Sequence, residues 1–132
     1  MRRLAVAAVV LLALGPACAS AGSGTTSLTI TAWPQGRDAG NGRTWTLRCD
    51  PAGGTLPRRA AACRQLAARD EPFSPIPDDV ACIEIYGGPQ EALVRGRYRG
   101  RRVWARFDRT DGCQAGRWDR VRLLFPIRVG VR

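Results

Sequence analysis

Apolar and polar residues alternate along much of this chain, and a period of two marks strands with one buried face. Leu28, Ile30 and Ala32 alternate with Thr29 and Thr31, which predicts a first strand. Trp45, Leu47 and Cys49 alternate with Thr44, Thr46 and Arg48, which predicts a second. Ala92, Val94, Gly96 and Tyr98 then share one parity, with Leu93, Arg95 and Arg97 on the other. Arg99-Gly100 reads as a turn, after which Val103, Ala105 and Phe107 make an apolar return face against Arg102, Trp104 and Arg106. Val121, Leu123 and Phe125 repeat the alternation and predict a last strand.

Between the second strand and the hairpin the period changes. Pro57 suits a first helical turn, the residues after it are alanine-rich, and a helix is expected from about Pro57 to Arg69. Cys63, Leu66 and Ala67 fall on one face at spacings of three and four, so Cys63 should point inward, within reach of Cys49. Trp33 to Arg43 and Asp50 to Thr55 are rich in Gly, Pro and Asn and read as loops. Glu71 to Asp79 holds Pro72, Pro75 and Pro77 and reads as a rigid loop. The order strand, strand, helix, hairpin, strand predicts an α+β domain with an antiparallel sheet.

The first residues follow a different plan. Met1-Arg2-Arg3 is basic, Leu4 to Leu14 is apolar, and small residues lead to Ala19-Ser20-Ala21, the layout of a secretory signal peptide over 1–21. A lipoprotein signal ending at Cys18 is the alternative, although Gly15 and Pro16 depart from its usual form. Residues 22–26 read as a flexible arm, 27–125 as the domain and 126–132 as a tail. Nothing after the leader is apolar for long enough to span a bilayer.

Of the five cysteines, Cys18 leaves with the leader, and Cys49, Cys63, Cys82 and Cys113 remain. In a small exported domain of about 110 residues an even count reads as two disulfides, with three connectivities open. A zinc site would need CxxC spacing or histidines, and the chain has neither. The lack of histidine also removes Ser-His and Cys-His nucleophilic pairs. Asp78-Asp79 reads as a solvated loop, and Gly53-Gly54 and Gly87-Gly88 lack the lysine of a phosphate loop. Neither enzymatic activity, cofactor nor metal is expected. The net charge of +10 suits nucleic acid or anionic surfaces. Every basic residue is arginine, however, and the arginines are scattered along the chain, so coding bias explains them and no nucleic-acid partner is expected.

The chemistry left is that of a surface. Cys82-Ile83-Glu84-Ile85-Tyr86 is an apolar-flanked segment anchored at a cysteine, with Pro89 to stiffen its exit. By residue type it fits an ordinary strand; it also fits a loop that enters a protease like a substrate, its ordering cost met in advance.

Several runs in order support the second reading. Trp45-Thr46-Leu47-Arg48-Cys49-Asp50-Pro51, Gly53-Gly54-Thr55, Cys63-Arg64-Gln65-Leu66 and the "IYGGPQ" run after Cys82 resemble the subtilisin-inhibitor-like family of secreted actinomycete proteins. Gly96 to Val103, then Phe107, Arg109 and Asp111-Gly112-Cys113, are similar to the second half of that family. The resemblance implies a five-stranded antiparallel sheet with two short helices, the second near Ala67–Asp70 or Pro75–Asp79. It implies disulfides Cys49–Cys63 and Cys82–Cys113, and homodimers through the sheet face. It puts the reactive bond between Glu84 and Ile85, with Cys82, Ile83, Tyr86 and Gly87 touching the protease and Gly53 and Gly54 as secondary contacts. The implied partner is an extracellular serine protease, subtilisin-like or accepting Glu.

The chain departs from the family pattern at Ile83, where proline is frequent, at the longer Gly87-Gly88 step, in its tail, and at Glu84. An unpartnered carboxylate is costly in an apolar specificity pocket. The alternative is therefore a binding module of the same fold without inhibition, its signs the acidic Glu84 and a flexible Gly87-Gly88, which holds another secreted protein or an anionic surface polymer.

Overall fold

The alternation at Leu28–Ala32 is realised as β1 (Thr26–Trp33), in which Thr26, Leu28, Ile30 and Ala32 are buried. The computed structural model describes residue 15 and residues 24–130. The leader, apart from Gly15, and residues 22–23 of the arm lie outside the described residues. β2 (Arg43–Cys49), β3 (Glu91–Tyr98) and β4 (Arg101–Phe107) complete one antiparallel sheet of order β2-β1-β3-β4. Each pairing keeps the parities in step: Ile30 faces Val94, and Val94 faces Ala105. One face is therefore buried and mainly apolar, while the other is more exposed and mainly polar, with Leu93 and Trp104 among its residues.

Two helices cover the apolar face. α1 (Arg59–Ala67) begins later than the sequence suggests, because Arg58 adopts a left-handed φ of 52°. It buries Ala62 and Leu66, while Ala67, expected inward, is exposed. α2 (Gly112–Arg120) is the second helix, and it lies at neither expected place. Residues after Ala68 leave the helical path, and the prolines at 72, 75 and 77 keep the following stretch from winding. Trp118 of α2 packs against Phe125 at 4.4 Å between ring centroids, and Phe125 against Phe107 at 5.1 Å.

The expected fifth strand is absent; among the described residues the sheet has four strands. Residues Arg122–Leu124 form a 3-10 turn instead. Val121, Leu124 and Phe125 are buried, a spacing of three and four that seats them on the core, whereas Leu123 is only partly buried and its N–H donates to Gln65 Oε1 at 2.9 Å. The run Val-Arg-Leu-Leu-Phe satisfies both periods, and packing beside Trp118 selects the tighter one.

Two cross-links tie the loops to this frame. Cys49–Cys63 joins the end of β2 to α1, and Cys82–Cys113 joins the segment before β3 to the first turn of α2, with Cα separations of 5.8 and 5.4 Å. They close spans of 14 and 31 residues, which chain entropy values at about 3 to 4 kcal/mol each. Arg117 of α2 holds the proline-rich stretch: its guanidinium donates to Phe73 O, Ser74 O and Arg106 O at 3.2, 2.8 and 2.5 Å while lying 4.0 Å over the Phe107 ring. Burial lowers its pKa, with nearby Asp108 acting in the opposite sense. Among the described residues no helix is long and apolar enough to cross a membrane.

The 3-10 seating makes a direct prediction. Leu124→Ala should cost about 2 to 5 kcal/mol in urea unfolding, and Leu123→Ala distinctly less. A strand at 121–125 would reverse that order.

Candidate functional site

Residues 80–88 have no regular secondary structure, and four in a row face solvent. Ile83, Ile85 and Tyr86 are 70%, 63% and 54% exposed, and Glu84 between them is exposed as well. Large apolar side chains exposed close together on a protein surface mark an interaction site more often than a lapse of packing.

The backbone beneath them is fixed at several points. Cys82 is bonded to Cys113 on α2. Gly112 N–H donates to Ile83 O at 2.8 Å, so the start of α2 holds the carbonyl directly before Glu84. Ile85 N–H donates to the same oxygen at 2.8 Å, closing a three-residue turn centred on Glu84. Downstream, Gly87 N–H donates to Arg109 O at 2.7 Å, and Arg109 Nε returns a bond to Gly87 O at 3.3 Å. Arg109 is itself held by Asp119 Oδ1 at 2.8 Å and lies 5.9 Å over the Trp118 ring. Its side chain is only 12% exposed, so the ion pair is well shielded on that side.

The start of α2 owes its position to a cap. Asp111, in extended conformation, accepts from Gln114 N–H at 2.8 Å through its carboxylate. That satisfies one of the open N–H groups of the first turn and leaves Gly112 N–H free to reach Ile83. Asp111, Gly112 and Arg109 are therefore supporting residues, a role that the family resemblance they carry in the sequence did not assign them. An Asp with Gln three residues later was the available signal, the pattern of a capping box.

The glycine pair is not the flexible step its composition suggests. A side chain at Gly87 would press on Arg109 O at 3.1 Å and on Ala115. Gly88 is buried with φ +128°, and a Cβ there would meet Gln90 Oε1 at 2.3 Å and Gly130 O at 2.5 Å. Gln90 is buried too and donates from Nε2 to Gly130 O at 3.0 Å. The stretch after Phe125 thus packs over the exit of the loop, with Ile127 against the core. Both glycines serve close approach of neighbours.

Gly53 and Gly54 belong to a separate turn. Gly53 and Arg48 exchange backbone bonds of 2.9 Å each, and Thr55 and Leu56 donate to Thr46 O. Their turn folds onto β2, one edge of the sheet, whereas the Cys82–Gly87 loop is bonded to residues following β4, the other edge. Cys82, Asp111 and Cys113 are close enough by distance to share an ion. Both sulfurs are in the disulfide, and the Asp111 carboxylate caps α2, so they offer no metal-binding set.

Residues 23–110 match the family model described as subtilisin inhibitor-like, a span that includes all four strands, α1 and the exposed loop but stops short of α2. Subtilisin inhibitor-like protein 5 of Streptomyces fradiae is 41% identical over 88 residues, covering 64% of this chain and 79% of that protein. Sermetstatin of Streptomyces caespitosus, solved in complex with Bacillus licheniformis subtilisin, matches with a TM-score of 0.51 at 24% identity, covering 78% of this chain and 99% of its own; that likeness is one of fold.

The tether can be tested without touching the exposed residues. Arg109→Leu keeps the backbone carbonyl but removes the bonds to Gly87 and Asp119, and should cost about 1 to 3 kcal/mol. Amide exchange at Gly87 and Ile85 should quicken more than exchange in β1. Unchanged exchange at Gly87 would show that the side chain does not hold the loop.

Proposed function

Because the chain belongs to the subtilisin inhibitor-like family, we propose that it is a secreted serine-protease inhibitor whose Cys82–Gly87 loop occupies a protease active site as a substrate would. The family is one of protease inhibitors and not of enzymes. The observation that carries the reading is the run Ile83–Tyr86, exposed at every position yet fixed at both ends. A loop ordered before binding loses little entropy on docking, so its contacts appear as affinity. The two disulfides fit an oxidising, extracellular setting.

The reactive bond in this proposal is Glu84–Ile85. Cleavage there would leave the Glu84 side held through Cys82–Cys113 and the Ile85 side held through Gly87 and Arg109. The two new ends would stay adjacent, which favours resealing over release. Glu84 sets the specificity: its carboxylate is exposed in the free protein and would lose its water in an apolar pocket. A protease with a cation or donors in that pocket is the better partner. In this proposal Gly53 and Gly54, in the turn bonded to β2, are secondary contacts.

One feature favours the second reading, a binding module of this fold that does not inhibit. The turn closed by Ile85 N–H and Ile83 O bends the backbone at Glu84 away from the extended form a substrate adopts. Titration of residues 22–132 against subtilisin, trypsin and a glutamyl-specific protease, followed by mass spectrometry, separates the two. Stoichiometric inhibition with slow cleavage confined to Glu84–Ile85 supports the inhibitor; absent inhibition or rapid scattered digestion supports the module. Glu84→Leu should tighten subtilisin inhibition at least about tenfold, equivalent to about 1.4 kcal/mol. No change would place the reactive bond elsewhere.

A further inference from the structure

The stretch after Phe125 reads in the sequence as a tail and lies outside the residues matched to the family, yet it is built onto the exit of the exposed loop. Gln90, 3% exposed, donates from Nε2 to Gly130 O at 3.0 Å and to Pro34 O at 3.4 Å. One buried amide thus joins the loop exit, the residue after β1 and the tail. Ile127 packs on the core and seats the stretch from its other side. What the arrangement presents outward is a depression of about 560 Å³, whose lining includes Pro34, Arg43, Pro89, Ile127, Arg128 and Val129.

Val129 is 48% exposed, and Arg43 and Arg128 are exposed as well. Among the described residues no carboxylate lines the depression, and neither arginine is ion-paired. Glu91, next to Gln90, accepts instead from Arg37 N–H. Arg43 pairs with the buried Ala32 and shares its inward parity, so the depression is separate from the outer face of the sheet. It is also close to the loop. Three residues carry the chain from Ile85 to Gly88, at most about 11 Å, and the close approach of Gly88 to Gly130 O adds about 4 Å. An inhibitor interface of ordinary size covers about 800 Å² of each partner, equal to a disc about 16 Å in radius, and engages about 20 to 30 residues a side. Centred on Glu84–Ile85, such a footprint needs more than Ile83–Tyr86 to fill it. It reaches the tail on the side where the leaving group of a substrate would lie.

We propose that this depression is a second protease-contacting surface, which takes an apolar side chain flanked by carboxylates from the protease rim on the leaving-group side. Val129, Ile127 and the prolines supply apolar area, and Arg43 and Arg128 supply two unpaired cations. A carboxylate-bearing rim is therefore attracted and a basic one repelled. Because Gln90 and Ile127 fix the stretch beforehand, its contacts cost little ordering. This surface presupposes the inhibitor reading and adds to it a choice among proteases that the loop alone does not make.

The test measures association and dissociation rates of residues 22–132 and variants against subtilisin, trypsin and a glutamyl-specific protease. For at least one protease that the native chain inhibits, Arg43→Glu with Arg128→Glu should slow association about tenfold at low ionic strength, and added salt should shrink the difference. Val129→Asp should speed dissociation about tenfold. Arg69→Glu with Arg99→Glu makes the same charge change beyond the other end of β3, about 24 Å away, and should leave both rates within about threefold. Tm and amide exchange at Gly87 should match the native chain in every variant. Faster exchange at Gly87 in the tail variants would mean that the tail only props the loop, and would overturn the contact. Inhibition unchanged in the tail variants overturns this surface and leaves the loop standing, whereas inhibition of none of the three proteases overturns both. Sedimentation showing a native dimer that Val129→Asp dissociates would give the depression to a second copy.

Discussion

The Cys82–Cys113 bond sets the terms for everything around the exposed loop. Residues 80–88 have no ladder of their own, so their backbone groups need partners from outside. The bond brings them to the first turn of α2, where a helix has N–H groups to spare. Asp111 takes one of these and Gly112 offers another to Ile83 O. Arg109 completes the arrangement from the segment between β4 and α2. The loop is thus ordered by a helix terminus, a cross-link and a shielded cation, and its side chains stay free because none of them is needed for the tether.

Much of this could be read from residue order. The four strands follow from strict alternation, and the hairpin turn from Arg99-Gly100, because a sheet with one wet face enforces a period of two. What escaped were places where two periods fit the same residues or where no apolar stripe exists. Val121, Leu123 and Phe125 alternate, yet Val121, Leu124 and Phe125 are the residues that reach the core. α2 contains two glycines and three charged residues and buries only Trp118, so its signal lay in its cap.

The site was legible in a similar way. The residues of the loop stood out by type and spacing, while its supports did not, because Arg109 and Gly130 meet partners that only the fold brings near and Asp111 acts by capping α2. Gly87-Gly88 suggests freedom in the sequence and turns out to be a tight fit.

Arg117 has a consequence for survival in proteolytic surroundings. A protease digests a surface stretch only after it comes away from the body and extends into the cleft, so resistance depends on local opening. The stretch between α1 and the exposed loop has little regular structure and looks vulnerable on that ground. One guanidinium bonded to Phe73 O, Ser74 O and Arg106 O couples its release to the displacement of α2. Pro72, Pro75 and Pro77 further restrict the conformations it could offer. The stretch between α1 and the exposed loop is thereby held by the same helix that anchors the loop, so neither opens without disturbing α2.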